Sequence, residues 1–220
     1  KLAEKDNGTL KLSYKNQAGP FMSDFSSWGP TPSLGIKPEI TAHGGNIKSA
    51  VPGGGYDELS GTSMACPNLA GVTVLLRQYV QENFPDISDN MVEVNAMVNR
   101  LMMSTADIII NKNGLPYAVR KQGAGLANLM NSIKTNAYIA TYDKDGNSMD
   151  KTKLELGDDP DKKGEYTLSF SIMNFGDKPL NYNFGYYVMT EGVSDTKTSH
   201  GETTVTEEAY ILEGAKAVIS

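Results

Sequence analysis

Between Leu59 and Leu76 the chain carries no charged residue, although Ser, Thr, Asn, Gly and Pro interrupt its apolar positions. An uncharged run that keeps its hydroxyls and a proline reads as an interior helix entered through a tight turn at Gly61, not as a membrane span. A second helical period follows. Met91, Val94, Met97, Val98, Leu101 and Met102 recur at spacings of three and four, with Asp86 to Ser88 as the start signal. That row predicts core packing against the first helix or a sheet. Ile108 to Ile110 and Tyr117 to Val119, parted by Asn113-Gly114, predict a hairpin or returning loop, and 122–133 a short amphipathic helix.

Elsewhere the period is two. Leu10-Lys-Leu-Ser-Tyr14 alternates like a half-buried strand, and Phe21 to Val51 reads as loops and short strands punctuated by Gly and Pro. From about Asn136 the alternation dominates: Tyr166, Leu168, Phe170 and Ile172, then a turn at 174–179, then Leu180, Tyr182, Phe184 and Tyr186. Two such strands predict an antiparallel sheet with one buried face, and Thr203 to Leu212 offers a further strand.

Composition narrows the class without deciding the chemistry. The 220 residues suit one large or two small domains, and 39% hydrophobic with 21% charged residues belongs to an ordinary globular chain. A net charge of −6 gives no reason to expect nucleic acid. Residues 1–135 hold 12 basic and 11 acidic side chains, and 136–220 hold 8 and 15. This shift predicts a domain boundary near 134. With one cysteine there is no intrachain disulfide, and Cys66 is expected to be buried as a packing residue. No initiator Met, signal peptide or transmembrane run is present, so the chain reads as an excised piece.

The candidate chemistry sits at the head of the uncharged run. Thr62 and Ser63 fall at or near a helix N-cap with Pro67 a turn later, where its missing N–H is tolerated. Unpaired amides and the positive end of the helix dipole would stabilise an oxyanion forming beside Ser63. The competing reading is an ordinary capping hydroxyl on a core helix. His43 and His200 have no demonstrated reach to Ser63 and are not taken as its base. Asp143-Lys-Asp-Gly-Asn-Ser-Met-Asp150 looks like a calcium loop, but its Gly is misplaced for an EF-hand and a solvated turn is preferred.

Motifs separate the two readings of Ser63. Gly61-Thr-Ser-Met-Ala-Cys-Pro67 with Leu69-Ala-Gly71 resembles the segment around the nucleophile of subtilisin-like serine proteases. Phe25-Ser-Ser-Trp-Gly-Pro30, Lys37-Pro-Glu-Ile-Thr-Ala42 and Gln122-Gly-Ala-Gly-Leu126 resemble three further segments of that family, in its order. His43 stands where the family has a proline. Phe25-Ser-Ser-Trp-Gly29 also resembles the form found in the cell-envelope members, such as the C5a peptidases and the caseinases. Gly-x-Ser-x-Gly of the α/β-hydrolases is not matched, because Ala65 occupies the last position.

The resemblance implies an α/β fold: the C-terminal portion of a subtilisin-like catalytic domain over 1–134, followed over 135–220 by an all-β fibronectin-like sandwich that stops short of completion. Residues 1–20 would be a return strand from an inserted domain. It implies Ser63 as nucleophile, the Ser63 N–H with Thr62 at the oxyanion, and Leu59, Ser60 and Met64 against the leaving half of a protein or peptide substrate. The family's Asp, His and oxyanion Asn would precede Lys1, so the isolated chain is expected to be inactive. It also implies an extracellular or envelope location. No cofactor or metal is expected, although calcium could serve the parent protein. The upstream half of the same domain is the implied partner, with self-association of the exposed fragment as another outcome. A surface adhesion or scaffold module that keeps the fold without activity is the alternative from a different class.

Overall fold

A computed structural model describes residues 2–6, 9–13, 19–157, 159–197 and 203–218. Strands β1 (Leu2–Asp6) and β2 (Thr9–Ser13) pair antiparallel, with Leu2 opposite Ser13. The strand expected around Leu10 is therefore one arm of a hairpin. A second hairpin, β3 (Ile47–Ala50) with β4 (Tyr56–Leu59), leads directly into helix α1 (Thr62–Asn83).

Helix α2 (Met91–Ser104) begins later than the sequence signal at 86–88. The cause is local: 84–90 is taken up by turns, and the Asn90 side chain caps the helix by accepting from the Val92 and Glu93 amides. Leu76 and Val80 of α1 meet Val94, Met97, Val98, Leu101 and Met102 of α2 in the main core. Five of the six periodic positions in 91–102 are thus buried, while Met91 lies at the exposed first turn. The helix expected within 122–133 divides into α3 (Val119–Gln122) and α4 (Leu129–Lys134), the latter capped by Asn128.

α1 departs from the interior helix that its uncharged sequence predicts. Only Leu76 and Val80 are buried, whereas Val74 is 66% and Leu75 52% exposed. Ala70 and Gly71 are open, and Cys66 is exposed instead of packed. Among the described residues the helices packed on α1 are α2 and α4, and they cover one side of it.

The 108–119 segment forms the expected hairpin, with Ile110 bridged to Pro116 and the Tyr117 amide donating to the Ile109 carbonyl at 3.0 Å. The Gln122 side chain is 3% exposed and fully employed. Its Oε1 accepts from the Ile109 amide at 2.7 Å, and its Nε2 donates to the carbonyls of Ile109 and Tyr117.

After α4, β5 (Ala137–Thr141) pairs antiparallel with β6 (Phe170–Asn174), and β7 (Met189–Lys197) with β8 (Thr203–Ile211). The further strand expected near 203–212 is present as β8. The partner of β6 is β5, not the 180–186 segment, which forms no strand. β5 follows α4 directly, and the Phe175 amide extends its ladder with β6 to the Asn136 carbonyl. Tyr166, Leu168, Tyr182, Phe184 and Tyr186 are consequently about half exposed.

Cationic side chains make several of the contacts that bind this later half to the earlier one. Buried Arg100 donates to the Met149 carbonyl and the Ser148 hydroxyl, both at 3.0 Å. Near β7, Arg120 and Lys121 pair with Glu191, and the same two cations stand over the Trp28 ring at 5.4 and 3.9 Å from its centre. The 143–150 segment, expected as a solvated turn in preference to a calcium loop, is a turn closed on itself. Asp143 Oδ1 accepts from the Asp145 and Asn147 amides and Oδ2 from the Asn147 side chain, which holds the Asp143 carboxyl below its ordinary pKa.

Candidate active site

The site is built by a chain reversal between residues 39 and 63. The Glu39 carbonyl accepts from the Ala124 amide at 2.9 Å, the Thr41 amide donates to the Gly125 carbonyl, and the Thr41 carbonyl accepts from the Ala127 amide, both at 2.8 Å. Thr41 is bridged in parallel to Leu126, and its hydroxyl donates to the Gln122 carbonyl. Two of the motifs recognised in the sequence, 37–42 and 122–126, are therefore neighbours in space.

Beyond Thr41 the chain reaches Gly44, whose carbonyl accepts from the Gly61 amide at 2.8 Å. A methyl group on Gly44 would stand 2.6 Å from the Gly61 carbonyl oxygen and 2.9 Å from Ala65 Cβ. The backbones approach this closely because neither Gly44 nor Gly61 has a side chain and Ala65 has a small one. The turn is fixed on its other side by Ser60, whose hydroxyl accepts from the Asn46 amide at 2.8 Å and donates to Asn46 Oδ1.

The N-cap of α1 is Gly61, and no side chain makes a capping hydrogen bond there. Thr62 and Ser63 are thus the first two helical residues instead of the caps, and both are exposed. The Met64 and Ala65 amides return to the Gly61 carbonyl, at 3.0 and 3.3 Å. Those of Thr62 and Ser63 are the first-turn amides left open among the described residues. Pro67, within the helix, has no N–H to offer the Ser63 carbonyl four residues back. The Ser63 hydroxyl therefore lies at the positive end of a 22-residue helix with amide donors beside it.

Of the other residues named from the sequence, Leu59 ends β4 and is 45% exposed, and Met64 is half-buried with its sulfur near Gly61. His43 is exposed and makes no hydrogen bond to Ser63 among the described residues. His200 lies outside them. No group of three or more His, Cys, Asp or Glu among the described residues could hold a metal ion. Concavities of about 490 Å³, beside Phe21 and Ile108–Ile110, and about 270 Å³, beside Leu154–Leu156 and Tyr166–Leu168, are lined without any residue of α1.

Sequence reading missed Glu39. Its side chain, 17% exposed, has Lys37, Lys151 and Lys153 Nζ at 2.5, 3.1 and 3.6 Å. Partial burial alone would raise its pKa, but the hydrogen bonds from Lys37 and Lys151 prevail and lower it from 4.5 to about 2. A carboxyl depressed on folding stabilises the fold above its unfolded pKa, and that contribution disappears as pH falls from 4.5 toward 2. Over that window the urea midpoint of the chain is expected to drop more steeply than that of Glu39→Gln. Parallel curves would remove Glu39 as the cause.

A profile of the Subtilase family matches residues 12–125. The chain is 32% identical over 188 residues to a C5a peptidase of Streptococcus pyogenes, an alignment covering 85% of this chain and 15% of that protein. It is 40% identical over 149 residues to the PII-type proteinase of Lacticaseibacillus paracasei, covering 60% of this chain and 8% of that one. A PII-type proteinase of Lactococcus lactis subsp. cremoris is similar at the same identity and coverage. The chain spans 16% or less of the length of these relatives. With a family profile over more than half of its residues, and the 37–42 and 122–126 motifs paired next to the chain that reaches the Gly61 turn, the chain belongs to the subtilase family of serine proteases.

Proposed function

We propose that this chain is the C-terminal portion of the catalytic domain of a subtilisin-type serine endopeptidase, with Ser63 as nucleophile. One observation supports this most. The Ser63 hydroxyl is exposed in the first turn of a long helix, is not used as a cap, and stands beside two amides that no carbonyl engages among the described residues. In the reaction, Ser63 Oγ attacks the carbonyl carbon of the scissile peptide bond while a histidine takes its proton. The Ser63 N–H, with Thr62 supporting it, donates to the developing oxyanion. The C–N bond then breaks, the amine leaves with the histidine's proton, and water hydrolyses the acyl-serine. Leu59, Ser60 and Met64 flank the leaving half of a protein or peptide substrate.

The histidine, its aspartate and a side-chain oxyanion donor come in this reading from a preceding segment of the same domain. The apolar face of α1 through Cys66, Ala70, Val74 and Leu75 is where that segment packs. Residues 1–134 are the catalytic portion, with 1–20 as a return strand from an inserted domain. Residues 135–220 begin a fibronectin-like β unit. The whole protein acts outside the cell or on its envelope. No helix among the described residues is long and apolar enough to cross a membrane.

The test is covalent labelling. A protein that joins this chain to its preceding segment should react with a fluorophosphonate at Ser63, identified in the tryptic peptide ending at Arg77, while the 220-residue chain alone should not. A joined, folded protein that takes no label at Ser63 refutes the nucleophile and favours a scaffold role.

A further inference from the structure

The lysines that surround Glu39 come from two places. Lys37 is its neighbour two positions earlier, but Lys151 and Lys153 arrive from beyond β5, more than 110 positions later in the chain. Lys153 Nζ also donates to the Ile36 carbonyl and to Glu155 Oε1, both at 3.0 Å, and Glu155 Oε1 accepts from the Ile36 amide at 2.9 Å. The 151–155 segment is thus fastened to 36–39 by backbone and side-chain bonds together. Of the five charged groups involved, Glu39 and Lys153 have the least exposed side chains, at 17% and 19%.

Glu39 is also the first residue of the ladder to 122–127, which runs to Thr41, three positions before Gly44. Gly44 lies five positions after Glu39, at most about 18 Å of extended chain. Gly44 in turn holds the Gly61 amide at the mouth of α1. Any slip of the 39–41 segment along 122–127 is therefore carried to the turn before Ser63.

We infer that Glu39 is a positioning residue, through which the 151–155 segment sets the register of 39–44 and so the placement of the Ser63 turn. The catalytic meaning of this rests on Ser63 being the nucleophile, but the coupling itself does not. It also gives residues after 136 a task in the site, as a brace to the portion before them.

Amide hydrogen exchange on the 220-residue chain tests it without turnover. In Glu39→Gln, and in Lys151→Met with Lys153→Met, the Gly61 and Met64 amides should exchange about tenfold faster, as expected when a partly buried ion network is lost. Val98 and Leu101 in α2 should be unchanged, and Glu39→Asp should restore most of the protection. Equal acceleration in α2, or none at Gly61, overturns the inference. Should the variants not fold, sodium chloride raised to about 1 M on the unaltered chain decides, because salt screens partly exposed pairs. Gly61 exchange must then rise relative to α2, and a constant ratio overturns the coupling. Failure here leaves phosphonate labelling untouched, and failed labelling leaves the exchange result standing.

Discussion

Ser63→Ala in a protein that joins this chain to its preceding segment is expected to reduce peptidase turnover by on the order of 10⁴-fold or more. The physical reason is that the acyl carrier is lost, so only binding and oxyanion donors remain to accelerate attack by water. The fold should tolerate the change. Ser63 is exposed, and its hydroxyl neither caps α1 nor fills the core. A thermal midpoint within about 3 °C of the parent's is the accompanying expectation, because exposed substitutions away from special contacts usually change stability little. The discriminating measurement is turnover of a chromogenic peptide by both proteins after removal of contaminating protease. Residual turnover above about one hundredth of the parent's would mean that another group forms the acyl intermediate. For the isolated 220 residues, turnover indistinguishable from buffer is expected whether position 63 is Ser or Ala.

The largest effect on stability is expected from Gly123→Ala. Gly123 has φ +64°, a region that L residues enter at a cost, and a Cβ there would sit 2.3 Å from the Glu39 carbonyl carbon and 2.4 Å from its oxygen. Neither obstacle can rotate away, because both belong to backbone whose carbonyl already accepts from the Ala124 amide. Backbone strain and forced separation each cost on the order of 1–3 kcal/mol, so a loss of about 3 kcal/mol or more is expected. Urea unfolding reads it directly. A loss below about 1 kcal/mol would mean that 39–41 and 122–127 are not held as closely as described.

Gly123 also shows why part of the site could be read from sequence. Gln122-Gly-Ala-Gly-Leu126 was recognisable as a motif because its constraints are local and strict: a glycine against a carbonyl, and a glutamine whose amide serves three backbone groups. The row from Val94 to Met102 was legible for a related reason, since one buried face imposes its period on a helix. Ser63 could be placed to within a residue or two of the helix start, but its cap could not. Gly61 closes the helix without a side chain, and composition favours Thr or Ser for that role.

What the sequence hid was long-range. Glu39 reads as a surface acid within Lys-Pro-Glu, and nothing in its neighbours announces two lysines from beyond position 150. The exposed side of α1 was invisible for the opposite reason. Periodicity reports what a helix is suited to bury, not what is there to cover it, so Val74 and Leu75 read as interior. Alternation misled between 166 and 186 because it identifies a strand-compatible segment without naming its partner, and β6 found β5.

The contact of Trp28 with Arg120 and Lys121 has a practical side. The chain contains a single tryptophan, so its fluorescence carries one signal with no second indole to dilute it. Because the cations over that ring are the ones that grip Glu191, emission from Trp28 is an intrinsic optical gauge of whether the β7 end of the molecule is seated on the remainder.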